Sequence, residues 1–353
     1  MTQSPTRRFR AAILGASGFA GAELLRRLLR HPHVEVVRAC AADHLGEPVW
    51  SAHPHLEGQT SLRFEATVPE RAADDVDVVL MGLPHSVSVE VVRAAATRDV
   101  RLLDLSGAFR LRDLDAYRRH YGEHPAPELV ESFVYGLPEL NRDRLRGARR
   151  VASPGCFATT IELGLLPLAR AGLLEGAIEV VGITGSSGSG VTASAATHHP
   201  VRAGNLRTYR PLDHQHSPEI VETLQAAGAR HPRLSFVPVS APLVRGIFAT
   251  AFARVPASTT EAQLAEAYRE SFDDEPFVRV PALRLPEVVA VTGSNHAEVG
   301  WLLGPVEGDT RLVTAFSVTD NLMKGGAGQA IQNLNLMLEL DERTTLEDPG
   351  GYP

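Results

Sequence analysis

Cysteine is scarce. The 353 residues hold two, Cys40 and Cys156, without the spacing of a disulfide framework, which favours a reducing cytosol and a cytoplasmic protein. Basic residues are outnumbered, 35 Lys and Arg against 42 Asp and Glu for a net charge of −7, so a nucleic-acid binder driven by bulk counterion release is excluded and any anion site is local. Long apolar runs are missing too. The longest charge-free stretch, Val180 to Thr197, is largely Gly, Ser and Thr and cannot span a bilayer. Arg7-Arg8 ahead of an apolar stretch looks like a twin-arginine signal, but Glu23 and Arg26 interrupt the hydrophobic region and no export is expected. No internal repeat, low-complexity segment or long linker breaks the chain. What is present is core material, 44% hydrophobic against 22% charged residues, with length for two domains of about 150 residues each.

Ala11-Ala-Ile-Leu14 reads as a strand ending at Gly15, and Leu24, Leu25, Leu28 and Leu29 then recur at helical spacing. Further apolar runs at Val34 to Cys40, Val76 to Leu80 and Val100 to Leu105, separated by helical segments, predict a doubly wound parallel sheet of α/β class. The character changes at Cys156. A helix from about Phe157 to Ala171, interrupted or restarted at Pro167, leads to a strand at Ile178 to Thr184 and a long irregular stretch through His216. A helix at Pro218 to Ala227 and strands near Leu234 to Val239, Ile247 to Val255, Val288 to Val291 and Leu312 to Val318 predict an α+β domain with a mostly antiparallel sheet. A last helix follows Gly326 with Ala327, Ile331, Leu334 and Leu338 on one face, and the catalytic cleft is expected where the domains meet.

Gly15, Ser17, Gly18 and Gly21 lie between the first strand and its helix in a GxxGxxG pattern, which lets backbone approach a pyrophosphate at the free amides of a helix start, or forms an ordinary tight turn. Asp43, just past the second strand, suits a ribose hydroxyl or a solvated loop. Cys156 follows Ser153-Pro-Gly155 at a predicted helix start, where dipole and free amides stabilise a thiolate nucleophile, whereas Cys40 in an apolar strand fits a structural thiol. Arg202, Arg207 and Arg210 make the segment from Thr197 to His216 cationic, suited to a carboxylate or phosphate or simply to solvent. His214-Gln-His216 can move protons; it lacks the further ligands of a zinc site, and no metal is expected. Gly185-Ser-Ser-Gly-Ser-Gly190 exposes amides to a phosphate or is a flexible loop, and it is not a P-loop.

Together, Gly15-Ala-Ser-Gly-Phe19-Ala20-Gly21, Ser153-Pro-Gly-Cys156, Gly185 to Gly190, His214-Gln-His-Ser-Pro-Glu219 and Asn321-Leu-Met-Lys-Gly-Gly-Ala-Gly-Gln329 resemble the N-acetyl-γ-glutamyl-phosphate reductase family, in order along nearly the whole chain. Thr197 to Tyr209 and Gly46-Glu-Pro-Val most resemble the branch acting on 2-aminoadipate or glutamate phosphates tethered to a small acidic amino-group carrier protein. The resemblance implies a Rossmann-type dinucleotide-binding domain over residues 1–155 and 321–345, a catalytic and dimerisation domain over 156–320, a tail from 346 and a homo-oligomer. It implies NADP-dependent reduction of an acyl phosphate to a semialdehyde, with NAD possible: Cys156 forms a thioester, His216 or His214 acts as acid and base with Glu219 as orienter, and Asn321 lies near the nicotinamide. Phe19 and Ala20 join Gly15, Ser17, Gly18 and Asp43 as coenzyme residues, and Arg110 joins the three arginines as a substrate ligand. Free N-acetyl-γ-glutamyl phosphate is the alternative substrate; aspartate-semialdehyde dehydrogenase and a nonenzymatic NAD(P)-binding protein are further rivals. The chain departs from the family twice. Ala41-Ala42-Asp43 stands where members often carry Ser-Arg for a 2′-phosphate, leaving Arg38 as nearest substitute, and Ser106-Gly-Ala-Phe-Arg110 lacks the usual acidic residue.

Overall fold

The structure, a computed structural model, describes residues 8–352; Arg7 of the paired-arginine reading lies outside the described residues. The chain divides into two compact units. Gly326–Glu347 returns to the first, which otherwise ends at Pro154, while Gly155–Gly325 and the end from Asp348 form the second.

In the first unit the apolar runs become strands β1 (Phe9–Leu14), β2 (Val34–Ala41), β4 (Val78–Met81) and β5 (Arg101–Asp104), joined by the short β3 (Phe64–Ala66), β6 (Val134–Tyr135) and β7 (Arg150–Ala152). Every pairing is parallel, in the order 3-2-1-4-5-7-6. Ala11–Leu14 and all of β4 are buried, as expected of parallel strands covered on both faces. Helices α1 (Phe19–Leu28), α2 (His85–Ala94), α3 (Leu114–Tyr121) and α4 (Pro138–Leu145) belong to this unit. The sheet is doubly wound, and its order reverses between β1 and β4, the point where such sheets bind ligands beyond their strand ends.

The second unit holds a mixed sheet of β8 (Glu175–Thr184), β9 (Arg207–Thr208), β10 (Arg230–Ser240), β11 (Ile247–Pro256), β12 (Val278–Arg279), β13 (Ala297–Glu307) and β14 (Thr310–Thr319). Its order is 12-13-14-11-8-10-9, antiparallel except for the β12–β13 and β8–β10 pairs. Helix α5 (Cys156–Arg170) packs on β11 and β14, with the four-residue α6 (His199–Arg202), α7 (Ser217–Ala226) and α8 (Glu261–Phe272) in the same unit.

Four expectations change here. Helix α5 runs through Pro167 without a break; the Tyr268 hydroxyl donates to the Gly164 carbonyl in the preceding turn, at 2.7 Å, where a proline disturbs the backbone ladder. Val288 to Val291 is no strand but a 3-10 turn over Val288–Ala290, because Val288 fills the hollow at Gly246, whose Cβ would lie 2.2 Å from it. The expected tail is packed: Leu346 is buried in the first unit, and Gly350 sits against Thr292 and Ser294 of the second. The last helix, α9 (Gly328–Met337), is buried on all sides rather than on one face. Two of its buried asparagines reach partners: Asn333 Nδ2 donates to the Gly136 carbonyl at 2.8 Å, and Asn335 Oδ1 meets His31 Nε2 at 2.9 Å.

Candidate active site

The loop from Gly15 to Gly21 joins β1 to α1. Gly15 has φ +78°, and a Cβ there would lie 2.1 Å from the Gly82 carbonyl oxygen past β4; one on Gly21 would lie 2.5 Å from the Ala16 oxygen. These glycines are sterically required. Gly18 caps α1, so the amides of Phe19 and Ala20 stand in the first turn, where no intrahelical acceptor reaches them. The Ser17 hydroxyl donates to Asp43 Oδ1 at 2.6 Å, bringing together the two side chains predicted to meet a dinucleotide. Such a cradle fits a pyrophosphate. Sequence reasoning missed His53 at this loop: it is buried, and its Nε2 meets the Ala16 carbonyl at 2.8 Å. Burial pushes its pKa down, so it serves as a neutral donor. Only a partner 37 residues away, invisible to local pattern, reveals the role.

Arg110 belongs to the frame of the first unit. Its Nε donates to the Ser153 carbonyl at 2.8 Å and its Nη2 to the Leu105 carbonyl at 2.7 Å, tying the chain past β5 to the chain past β7. The three other predicted arginines stand elsewhere.

In the second unit, Cys156 is the first residue of α5, with Gly155 as its N-cap, so the thiol takes the position that a helix dipole and unpaired amides favour for a thiolate. A cavity of about 420 Å³ opens on it, lined by Cys156, His214, His216, Arg202, Arg207 and Arg210, with Tyr209 and Ser189 also on its wall. The pattern-predicted nucleophile, histidines and arginines thus converge. His216 sits directly over Gly155: a Cβ on that glycine would lie 2.3 Å from the imidazole Nε2. His214 Nδ1 accepts from the His216 backbone N–H at 3.2 Å, and the two rings meet edge to face at 4.7 Å between centroids. His216 precedes α7 and is the nearer of the pair to a Cβ on Gly155, the residue before the nucleophile. Glu219, in the first turn of α7 and buried, accepts the Gly155 N–H at 2.8 Å through Oε1. That bond ties α7 to the loop that carries the nucleophile.

The pocket wall is braced from behind. Asn321 accepts from the Gly246 N–H at 2.8 Å and donates to the Ser187 hydroxyl at 2.9 Å. Buried Asp320 takes the Arg245 guanidinium at 2.8 Å and the Gly293 and Leu322 amides. The amides of Gly185, Ser186 and Ser187 all donate to carbonyls of residues 243 to 246, so this part of the loop is a rigid wall and not the open phosphate cradle considered from sequence. Tyr209, which the sequence pattern does not single out within the cationic segment, has its phenol pushed above the usual tyrosine range by burial, leaving a neutral hydroxyl on the pocket wall. Cys40 is pushed up to about 11 by burial and is chemically quiet, as its apolar strand predicts.

The comparisons with known proteins agree with this division. Residues 10–148 match the semialdehyde dehydrogenase NAD-binding domain, and residues 156–321 match the semialdehyde dehydrogenase dimerisation domain. An N-acetyl-γ-glutamyl-phosphate reductase of Desulforudis audaxviator is 42% identical over 98% of this chain and 99% of its own. The chain belongs to the N-acetyl-γ-glutamyl-phosphate reductase family. A [LysW]-L-2-aminoadipate 6-phosphate reductase of Deinococcus radiodurans is 40% identical, over 97% of each chain. An aspartate semialdehyde dehydrogenase II of Vibrio cholerae, at TM-score 0.71 over 94% of this chain and 99% of that one, is 18% identical and shows the shared fold alone. The first unit of this reductase-family chain is an NAD(P)-binding domain, and NADP is consistent with the family. Among the described residues, no helix is long and apolar enough to cross a membrane.

Proposed function

We propose that this chain reduces an acyl phosphate to a semialdehyde in lysine or arginine biosynthesis through a thioester at Cys156, with the acyl group, 2-aminoadipate or glutamate, carried by a small acidic carrier protein. The single observation that supports the chemistry best is Cys156 at the head of α5 with the His216 ring over Gly155, in a pocket lined by three arginines. The Cys156 thiolate attacks the acyl carbon; the S–C bond forms, the C–O bond to phosphate breaks and phosphate leaves. The arginines neutralise that leaving group. The Gly15 to Gly21 loop and the Phe19 and Ala20 amides would hold a nicotinamide coenzyme, which would supply the hydride that reduces the thioester carbonyl. His216 gives a proton to the resulting oxygen and takes it back as the thiohemiacetal collapses, returning the thiolate and releasing aldehyde. The neutral Tyr209 hydroxyl is a further donor to the substrate in the pocket.

The carrier-linked substrate is favoured by the mouth of the pocket. Arg207 and Arg210 are exposed, and beside them Leu206 and Leu212 expose 66% and 68% of their surface. Cationic side chains with exposed leucines suit docking of an acidic protein better than enclosure of a small acid. Relatives of both kinds, carrier-linked and N-acetylated, stand at similar identity. Turnover of carrier-linked and N-acetylated glutamyl phosphates at low and high salt is the test. Carrier docking requires a higher kcat/KM for the linked substrate that falls with ionic strength; equal or better kcat/KM for the acetylated one at low salt leaves the free-substrate reductase.

A homo-oligomer and cytoplasmic residence complete the proposal. Phe248, Thr250 and Phe316 lie on the sheet face turned away from α5, with Val181 beside them 40% exposed. A second copy covering that face agrees with the dimerisation domain matched over the same residues. Sedimentation of the protein at micromolar concentration tests it, since a monomer there would remove this part of the proposal.

A further inference from the structure

We infer that Asp43 selects the unphosphorylated adenosine ribose, so that this chain binds NAD(H) ahead of NADP(H). The inference rests on the nicotinamide-coenzyme reading and goes beyond it by deciding between the two forms. Asp43 follows β2 by two residues and is exposed, and the Ser17 hydroxyl of the glycine loop holds its Oδ1 at 2.6 Å. That bond fixes the carboxylate beside the phosphate cradle, and its second oxygen has no protein donor among the described residues. An acceptor so placed takes the ribose 2′-hydroxyl. A 2′-phosphate would instead bring about two negative charges against it.

The nearby cations are already engaged. At the C-terminal ends of β1 to β3 a second cavity, of about 170 Å³, is lined by Leu14, Arg38, Cys40, Glu65 and Arg71. Arg38 lies 3.5 Å from Glu65 and donates to the Arg71 carbonyl at 2.8 Å. Arg71 stands 3.9 Å from Asp74, and Arg63 donates to the Gly46 carbonyl at 2.8 Å. Two of the three guanidiniums therefore stand beside a carboxylate and the third holds backbone, while Asp43 stands at the loop itself.

The test is calorimetric titration of the full chain, without substrate, with NADH and with NADPH. NADH binds at least about tenfold more tightly, and this preference shrinks at high salt because the repulsive part acts on an exposed carboxylate. Asp43→Asn, which keeps the side chain's shape, brings the two affinities toward parity, and Asp43→Arg reverses their order. Tighter binding of NADPH by the unaltered chain, or a preference for NADH that survives Asp43→Asn unchanged, overturns the inference alone. Binding of neither coenzyme removes the nicotinamide reading and the inference with it.

Discussion

Gly155→Ala separates the position of His216 from everything else at the site. Gly155 has φ −71° and ψ 150°, a conformation alanine adopts freely, so the substitution strains no backbone. The added methyl would lie 2.3 Å from Nε2, 2.5 Å from Cε1 and 2.6 Å from Cδ2 of His216. Ordinary contact begins near 3.4 Å, so the ring must retreat by about 1.1 Å, the difference between 3.4 and 2.3 Å. A displacement of that size at a catalytic group costs on the order of 100-fold in rate. If the ring cannot retreat, the crowding costs about 1–3 kcal/mol of stability instead. The assay is kcat/KM with the acyl phosphate, alongside coenzyme affinity and the thermal midpoint. Gly155→Ala lowers kcat/KM by roughly 100-fold and leaves coenzyme affinity unchanged, since the glycine loop belongs to the other unit. Any lost stability returns when His216→Ala is added, because the clash is then gone. A Gly155→Ala protein within threefold of wild-type kcat/KM, or a stability loss that His216→Ala does not relieve, refutes the placement of this ring.

The other predictions concern thiols, loops and acid. Cys156→Ala abolishes aldehyde formation yet binds coenzyme, and Cys40→Ala is nearly neutral; alkylation at mildly acidic pH, read by mass, modifies Cys156 and spares Cys40, whose thiol is pushed up to about 11. Glu219→Ala deprives the Gly155 amide of its acceptor, a charge-assisted bond worth about 1.5–3 kcal/mol, and lowers kcat with little change in coenzyme affinity measured by titration. Stability falls as pH drops from 6.5 to 4. Burial holds His296 at about 4 against 6.5, so over that window the unfolded chain binds more protons than the folded one. The 2.5-unit depression corresponds to at most about 3.4 kcal/mol, reduced to about 1–2 kcal/mol by solvent screening at this partly exposed group. His296→Asn flattens the pH dependence of urea-unfolding free energies; an unaltered slope contradicts the assignment.

The residues that sequence reading found are those whose signal is local. Gly15 to Gly21 lie within one turn and one helix start, and Cys156 announces itself by the Pro-Gly entry to α5. The cationic segment could be seen as a charge contrast, although only the fold shows that Arg202, Arg207 and Arg210 face the thiol's pocket. Glu219 holding an amide 64 residues away and Asn321 holding Ser187 across 134 residues are contacts that no window of sequence contains. In the fold, the four long parallel runs were legible from apolar composition, whereas β3, β6 and β7 are two or three residues long and give no period to read. β13 was missed because Gly300, Gly304 and Pro305 interrupt its alternation, and Val288 to Val291 misled because a short apolar run serves a strand or a buried turn equally well.

The central claim, covalent catalysis at Cys156, is tested most directly by mixing the enzyme with acyl phosphate in the absence of coenzyme, with rapid acid quench and peptide mass analysis. The account predicts a burst of one phosphate per active site and an acyl adduct on the peptide carrying Cys156, both lost in Cys156→Ala. A burst that persists in Cys156→Ala, or an adduct on any other residue, would contradict it.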